Sequence, residues 1–290
     1  MILDGKALSA HILKGFKEEI ASFSSGRAPQ RPPCLAVFLI GDHPASKIYV
    51  NKKIKTCEEI GIRSIRRHFS ASITEEELLR EIEEININPA IDGLLIQLPL
   101  PKHINTHRVI RWVHPDKDVD GFHPINMGKL LLGDSEGFVP CTPLGIKELL
   151  SASNISVKEK HVVILGRSNI VGKPTAALFL QDDTPTSTTV SIIHRSTPNP
   201  KEICLQADIL IVAIGSPKYI TADMVKEGAV VIDVGINKDE NQKMIGDVDF
   251  ERVKERCSFI TPVPGGVGPM TIAMLMKNTL KSYKKRCDFS

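Results

Sequence analysis

Nothing in the sequence stays apolar for long. Its longest hydrophobic stretches, such as Ile209 to Ile214 and Ala229 to Ile232, are strand-sized and bounded by charge or glycine. A membrane-crossing helix needs about 20 apolar residues in a row, so no membrane partner is expected. Charge of one sign is also missing: 37 Lys and Arg stand against 34 Asp and Glu, a net of +3. The basic residues are scattered apart from short clusters such as Lys52-Lys53-Ile54-Lys55 and Lys284-Lys285-Arg286, so no nucleic-acid partner is expected. The six cysteines (Cys34, Cys57, Cys141, Cys204, Cys257, Cys287) form no C-x-x-C pair, which removes the usual basis for a zinc or redox site and predicts reduced thiols. His103 and His107 are four apart, but no third ligand is near and no Glu follows His103, so the expected metal content is none. The opening Met1-Ile2-Leu3-Asp4-Gly5-Lys6 has neither the basic stretch and apolar core of a secretion signal nor the look of a transit peptide, which makes the cytoplasm the expected setting.

What is present is a globular balance, 42% hydrophobic and 24% charged over 290 residues, enough for one large or two ordinary domains. Leu8, Ile12, Phe16 and Ile20 recur every four residues and predict an amphipathic helix, followed by a buried strand over Cys34 to Ile40. Ser46 is placed to cap a helix with Val50, Ile54 and Cys57 on its core side. Thr74-Glu-Glu-Glu77 has capping-box spacing before another helix, and Gly93 to Gln97 reads as a strand ending at Pro99. This alternation predicts an α/β fold with mostly parallel sheets. Between Pro115 and Pro143 the periodicity lapses, so a domain boundary belongs there, and Thr142-Pro143 reads as a capping residue and first-turn proline. From His161 a second series begins: strand Val162 to Leu165, glycine loop, helix from about Val171, then strands at Thr189 to Ile193, Ile209 to Ala213 and Val230 to Val234. That is a Rossmann-like order, and a last helix runs from Met270 to about Tyr283.

Four places carry candidate chemistry. Gly166-Arg-Ser-Asn-Ile-Val-Gly-Lys-Pro174 follows a strand and opens a helix, where a dinucleotide pyrophosphate rests on free backbone N–H groups. It lacks G-x-G-x-x-G spacing, so a plain strand-to-helix turn is the alternative. The next strand ends in His194-Arg195-Ser196-Thr197, a cation and hydroxyls where an NAD site usually presents an acid, which favours a 2′-phosphate and hence NADP; an exposed turn arginine is the alternative. Tyr49 and Lys53, four apart, share a helix face. Crowding with Lys52 and Lys55 together with partial burial would make one lysine of the run a proton-transfer group near neutrality, against the commoner reading of a solvated basic face. Gln97 at a strand end and Lys117-Asp-Val-Asp-Gly121 in a turn sit where ligand loops of open sheets collect, or are ordinary turn chemistry. Pro264-Gly265-Gly266 is a plain loop or a close backbone approach to a flat ligand.

In this order Tyr49-Val-x-x-Lys53, Gln97-Leu-Pro-Leu100, Lys117-Asp-Val-Asp-Gly121, Pro140-Cys-Thr-Pro143, Gly166-Arg-Ser-x-x-Val-Gly-x-Pro174 and Pro262-Val-Pro-Gly-Gly-Val-Gly-Pro-Met-Thr271 resemble the bifunctional methylenetetrahydrofolate dehydrogenase/methenyltetrahydrofolate cyclohydrolase family, over nearly the whole chain. The resemblance implies two α/β domains: a folate-binding domain over 1–143 with the last helix, 270–290, packing back on it, and a Rossmann-like NADP-binding domain over 144–269, with a cleft between them. It further implies a cytoplasmic homodimer in one-carbon metabolism and purine biosynthesis. By the same resemblance Lys53 is the catalytic lysine, Tyr49 stacks on the pterin, Gln97 hydrogen-bonds the lysine and Asp120 anchors the pterin ring. Pro264, Gly265, Gly266 and Thr271 border folate and nicotinamide, and Thr142, Gly166, Arg167, Ser168, Arg195, Ser196 and Ile236 match cofactor positions. One departure stands out: many members have His-Ser-Arg or His-Ser-Lys where this chain has His194-Arg195-Ser196. The implied chemistry is NADP-dependent oxidation of 5,10-methylenetetrahydrofolate and hydrolysis of the product to 10-formyltetrahydrofolate in one shared site. A dehydrogenase lacking the second step, or a nucleotide-sensing module without turnover, are the alternatives.

Overall fold

The computed structural model describes residues 1–25, 31–181 and 188–287. They form two compact units, one of residues 11–128 and 275–287, the other of residues 1–10 and 129–274.

The first unit is entered along α1 (Gly5–Ser25), and β1 (Cys34–Ile40), α2 (Pro44–Ile60), β2 (Arg63–Phe69), α3 (Glu75–Ile87) and β3 (Gly93–Ile96) follow. The strands form a parallel sheet in the order β2-β1-β3. All seven residues of β1 are buried, because a central parallel strand is covered on both faces and every position must be apolar. β2 is an edge strand with a single partner, and it carries Arg63, Arg66, Arg67 and His68. α3 starts in a reciprocal capping box between Thr74 and Glu77, as its spacing predicts, and buries Leu78, Leu79, Ile82 and Ile85. α2 departs from its expected start. Pro44 occupies the first turn, Ser46 lies buried inside the helix, and no side chain caps it. The proline supplies its helical φ ready-made, and Gly61 stops the helix at a left-handed φ of 89°. Then come α4 (Thr106–Trp112) and α5 (Pro124–Leu131), within which the chain passes to the second unit.

That unit begins with α6 (Cys141–Ala152), whose N-cap is Pro140; Thr142 is inside the first turn and does not cap it. β4 (His161–Leu165), α7 (Gly172–Phe179), β5 (Thr189–Ile193), α8 (Pro200–Cys204), β6 (Ile209–Val212) and β7 (Val230–Asp233) follow. A short hairpin, β8 (Asn237–Lys238) with β9 (Met244–Ile245), precedes α9 (Phe250–Val253), β10 (Phe259–Ile260) and α10 (Val267–Arg286). The main sheet is parallel in the order β10-β7-β6-β4-β5. Successive crossovers leave β4 in opposite directions, so the topological switch point lies between β4 and β6, the usual ligand crevice of such sheets. Val163, Leu165, Leu210, Val212 and Val231 are buried on one side of the sheet, packed with Ile220, Val225 and Val253.

The end of α10 belongs to the first unit. Tyr283 is fully buried there and donates to the Arg31 carbonyl at 2.8 Å, while Ser282 donates to the carbonyls of Asp92 and Asp116 at 2.6 and 2.7 Å. No helix among the described residues is long and apolar enough to cross a membrane.

Candidate active site

α2 buries Ser46, Val50, Lys53, Cys57 and Ile60. These positions follow the helical repeat, so Lys53 sits in the middle of the inward stripe, where the sequence reading had put Ile54; Ile54 is only half-buried. Lys52 and Lys55 are exposed, and Lys55 faces Glu59 at 3.8 Å. Burial, then, distinguishes Lys53, and not crowding by its neighbours. The residue is 9% exposed, and its ammonium donates to Gln97 Oε1 at 3.1 Å. Gln97 is held at both ends: its backbone N–H extends the sheet by donating to the Phe38 carbonyl at 2.9 Å, and its Nε2 donates to the Leu98 carbonyl at 2.8 Å. That second bond commits the amide nitrogen and turns the oxygen to the lysine. An ammonium has three N–H donors, so Gln97 fixes its direction and leaves two. Tyr49 lies one turn earlier, half-buried, and burial pushes its phenol above the ordinary value.

The Lys117-to-Gly121 turn divides its polar groups. Lys117 is 1% exposed and donates to the carbonyls of Ile85 and Asn88 at 2.5 and 2.6 Å, closing the C-terminal end of α3. Burial, reinforced by Arg286, brings its ammonium down to about 8. The buried Asp118 carboxylate accepts from the N–H groups of Phe122 and His123 and from Asn126 Nδ2, and burial pushes it up to about 7. Asn278 on α10 donates to the Val119 carbonyl at 2.8 Å. Lys117 and Asp118 are thus spent on internal bonds, and Asp120, half-buried, is the acid of the turn that remains partly exposed.

In the second unit the ends of β4, β5 and β6 gather the nucleotide candidates. Gly166 has a φ of 135°, and a Cβ there would lie 2.3 Å from the Ala213 carbonyl oxygen, so only glycine lets this loop pass β6. The expected row of free helix N–H groups is not what α7 presents. Val171 N–H donates to Ser168 Oγ at 3.1 Å, Gly172 N–H to the same oxygen at 3.5 Å, and Lys173 N–H to the Ser168 carbonyl at 3.0 Å. With Ser168 closing the helix start itself, the loop offers outward its hydroxyl hydrogen and the exposed Arg167. Arg195 Nη2 donates to the carbonyls of Ile214 and Gly215 at 2.7 and 3.1 Å, and Ser196 N–H donates to His194 Nδ1 at 3.1 Å. Ile236 is half exposed. Two cations, hydroxyls and no carboxylate at the end of β5 form a donor set that fits a nucleotide bearing a 2′-phosphate.

The Pro264-Gly265-Gly266 loop has a reason of its own for glycine. Lys6 N–H donates to the Gly265 carbonyl at 2.8 Å, a Cβ on Gly5 would lie 1.9 Å from the Gly266 oxygen, and Gly265 has a φ of 112°. A Cβ on Gly266 would lie 2.7 Å from the Pro262 carbonyl oxygen, so close backbone packing and the positive φ of Gly265 require these glycines whether or not a ligand approaches. Nearby Thr142 and Thr271 join through their hydroxyl oxygens at 3.1 Å. The sequence reading missed two buried carboxylates, Asp233 and Asp247, which among the described residues accept from backbone N–H groups and one Asn; nothing in Gly246-Asp247-Val248-Asp249 separates Asp247 from a turn acid.

Fold and candidate residues define a class: an α/β protein of two units, one with a buried, amide-held lysine and one with a Rossmann-type nucleotide sheet. Residues 3–120 match the family model for the tetrahydrofolate dehydrogenase/cyclohydrolase catalytic domain, and residues 140–287 that for the NAD(P)-binding domain of the same family. The bifunctional protein FolD of Protochlamydia amoebophila is 57% identical, with 98% of each chain covered. The crystal structure of the bifunctional FolD methylenetetrahydrofolate dehydrogenase/cyclohydrolase from Campylobacter jejuni is 50% identical with a TM-score of 0.94, covering 99% of both chains. The Trypanosoma brucei FolD, complexed with NADP cofactor and inhibitor, is 35% identical at the same TM-score, over 100% of this chain and 99% of that one. The chain belongs to the tetrahydrofolate dehydrogenase/cyclohydrolase family.

Proposed function

We infer that this chain oxidises 5,10-methylenetetrahydrofolate to 5,10-methenyltetrahydrofolate with NADP and hydrolyses the product to 10-formyltetrahydrofolate, using one set of folate contacts for both steps. The observation that carries this reading is the Lys53–Gln97 pair at 3.1 Å. A dehydrogenase alone needs alignment; a buried amine directed by an amide answers the need of the second step.

Gly166, Arg167, Ser168, Arg195, Ser196 and Ile236 are the residues that would hold NADP, whose chemistry there is to accept hydride from the one-carbon bridge. The chain's own part is as follows. Tyr49 supplies an aromatic face for the pterin, and Asp120 accepts from its amino and ring N–H groups. After hydride has left, the methenyl carbon is cationic between two nitrogens and open to water. The Lys53 ammonium, aimed by Gln97, gives a proton to the departing ring nitrogen, and the amine so formed takes one from the added water, so that the ring opens to the formyl product and the ammonium is restored. The roles of Thr142, Pro264, Gly265, Gly266 and Thr271 rest on the family resemblance alone. So do homodimer assembly and the domain ends at 143 and 269. A cytoplasmic setting has the further support of three buried free thiols, Cys34, Cys57 and Cys204, which suit a reducing compartment. The test is an assay of purified protein for NADPH formation from methylenetetrahydrofolate and for decay of added methenyltetrahydrofolate. Both signals are expected; NADPH formation with no accelerated decay would leave a dehydrogenase only.

A further inference from the structure

Asp247 is fully buried, and its side chain gathers the loop that follows β6. One oxygen accepts from the N–H groups of Ile214 and Gly215 at 2.8 and 2.9 Å; the other accepts from Ser216 N–H at 2.7 Å and Asn237 Nδ2 at 2.9 Å. Three successive N–H groups therefore converge on one carboxylate, an arrangement that fixes the peptide planes of the loop. The site is built to admit it, since a Cβ on Gly235 would come within 2.3 Å of the Asp247 carboxyl carbon. The carbonyls of Ile214 and Gly215, whose own N–H groups are held by Asp247, are the two that receive Arg195 Nη2. A guanidinium has five N–H donors in a rigid fork, so tying one nitrogen to two fixed carbonyls sets the direction of the rest.

We propose that Asp247 is a positioning residue for nucleotide choice: by holding the 214–216 backbone it orients Arg195, and through Arg195 it sets the preference for a 2′-phosphate. The proposal rests on the reading of Arg195 as the 2′-phosphate contact. Asparagine is nearly isosteric with aspartate but offers one acceptor oxygen where the loop uses two, and its NH2 would face donors. A role confined to stability would weaken NADP and NAD alike; a role through Arg195 weakens NADP selectively.

The experiment is calorimetric titration of NADP and of NAD into the full chain as wild type, Asp247→Asn, Arg195→Ala and the double variant, with nucleotide-free cyclohydrolase turnover measured on each. Asp247→Asn is expected to lower the NADP-over-NAD affinity ratio fivefold or more with cyclohydrolase turnover within twofold of wild type, and the double variant is expected to match Arg195→Ala alone. Equal loss for both nucleotides, or a double variant that multiplies the two single effects, would overturn the proposal while Arg195→Ala remains selective. An unchanged ratio in Arg195→Ala would overturn the reading of Arg195 and the proposal with it. Should Asp247→Asn not fold, Asn237→Ala keeps the carboxylate and removes one donor; a twofold or greater fall in the ratio is expected, and an unchanged ratio overturns the proposal.

Discussion

Lys53 shows how one side chain acquires a task from its surroundings. A buried ammonium is costly unless its donors are met, and Gln97 meets one of them while Leu98 holds Gln97 in place. Lys53→Ala is expected to reduce cyclohydrolase turnover by ~10²–10⁴, the usual worth of positioned proton transfer, and to reduce dehydrogenase turnover far less. Parallel stopped assays on the folded variant decide it, and equal losses would remove the proton-transfer role. Lys53→Arg should not restore the lost activity, because guanidinium keeps its proton at accessible pH. Arg195 is expected to act on affinity. A charge-assisted hydrogen bond is worth ~1.5–3 kcal/mol, so Arg195→Ala should raise the KM for NADP roughly ten- to a hundredfold and leave that for NAD near its starting value. Initial-rate kinetics with both nucleotides check it; a parallel rise in both would place the 2′-phosphate elsewhere.

The elements show which signals survive in a sequence. β1 falls where its apolar run puts it, because a strand buried on both faces has no polar positions to blur its ends. The capping box of α3 was legible because both partners lie within four residues. Ser46 and Thr142 mislead for a shared reason: each has cap chemistry but lies just inside a helix that has already begun, α2 at Pro44 and α6 at Cys141 after Pro140. β2 gives no apolar signal, since four of its seven residues are Arg or His on an edge. Lys117 opens a turn whose acids read as ligand groups or ordinary turn chemistry, and only the three-dimensional return of its loop to α3 shows what the lysine does. Lys117→Met is expected to leave those carbonyls unpaired and cost ~1–3 kcal/mol of stability by chemical denaturation. The cost should depend on pH. The folded lysine is held at about 8 against an ordinary 10.5, so between these values the unfolded chain binds more protons. The wild-type advantage is then largest above 10.5 and falls to its smaller value as pH drops through about 8. Urea titrations at several pH values read this directly; a difference that is flat or falls with rising pH would contradict it.

At the scale of the whole molecule, the chain contributes to each unit more than once, passing over within α5 and returning within α10. Composition and periodicity gave two α/β series and a lapse between them, but a helix that starts in one unit and ends in the other carries no mark of it in its pattern. Function was legible from linked short motifs, whereas the supports Asp233 and Asp247 were not, because Asp247 meets Ile214 to Ser216 and Asp233 meets Asp247 and Val248, neighbours that only the fold brings together. In the proposed function one set of pterin contacts serves two reactions. The most direct measurement is made on Asp120→Ala alone: dehydrogenase turnover, cyclohydrolase turnover and NADP affinity. Losing charge-assisted hydrogen bonds worth ~1.5–3 kcal/mol should depress both folate-dependent activities together, roughly tenfold or more, while NADP affinity stays within about twofold of wild type. One activity at full strength beside the loss of the other, or loss of NADP affinity, would contradict it.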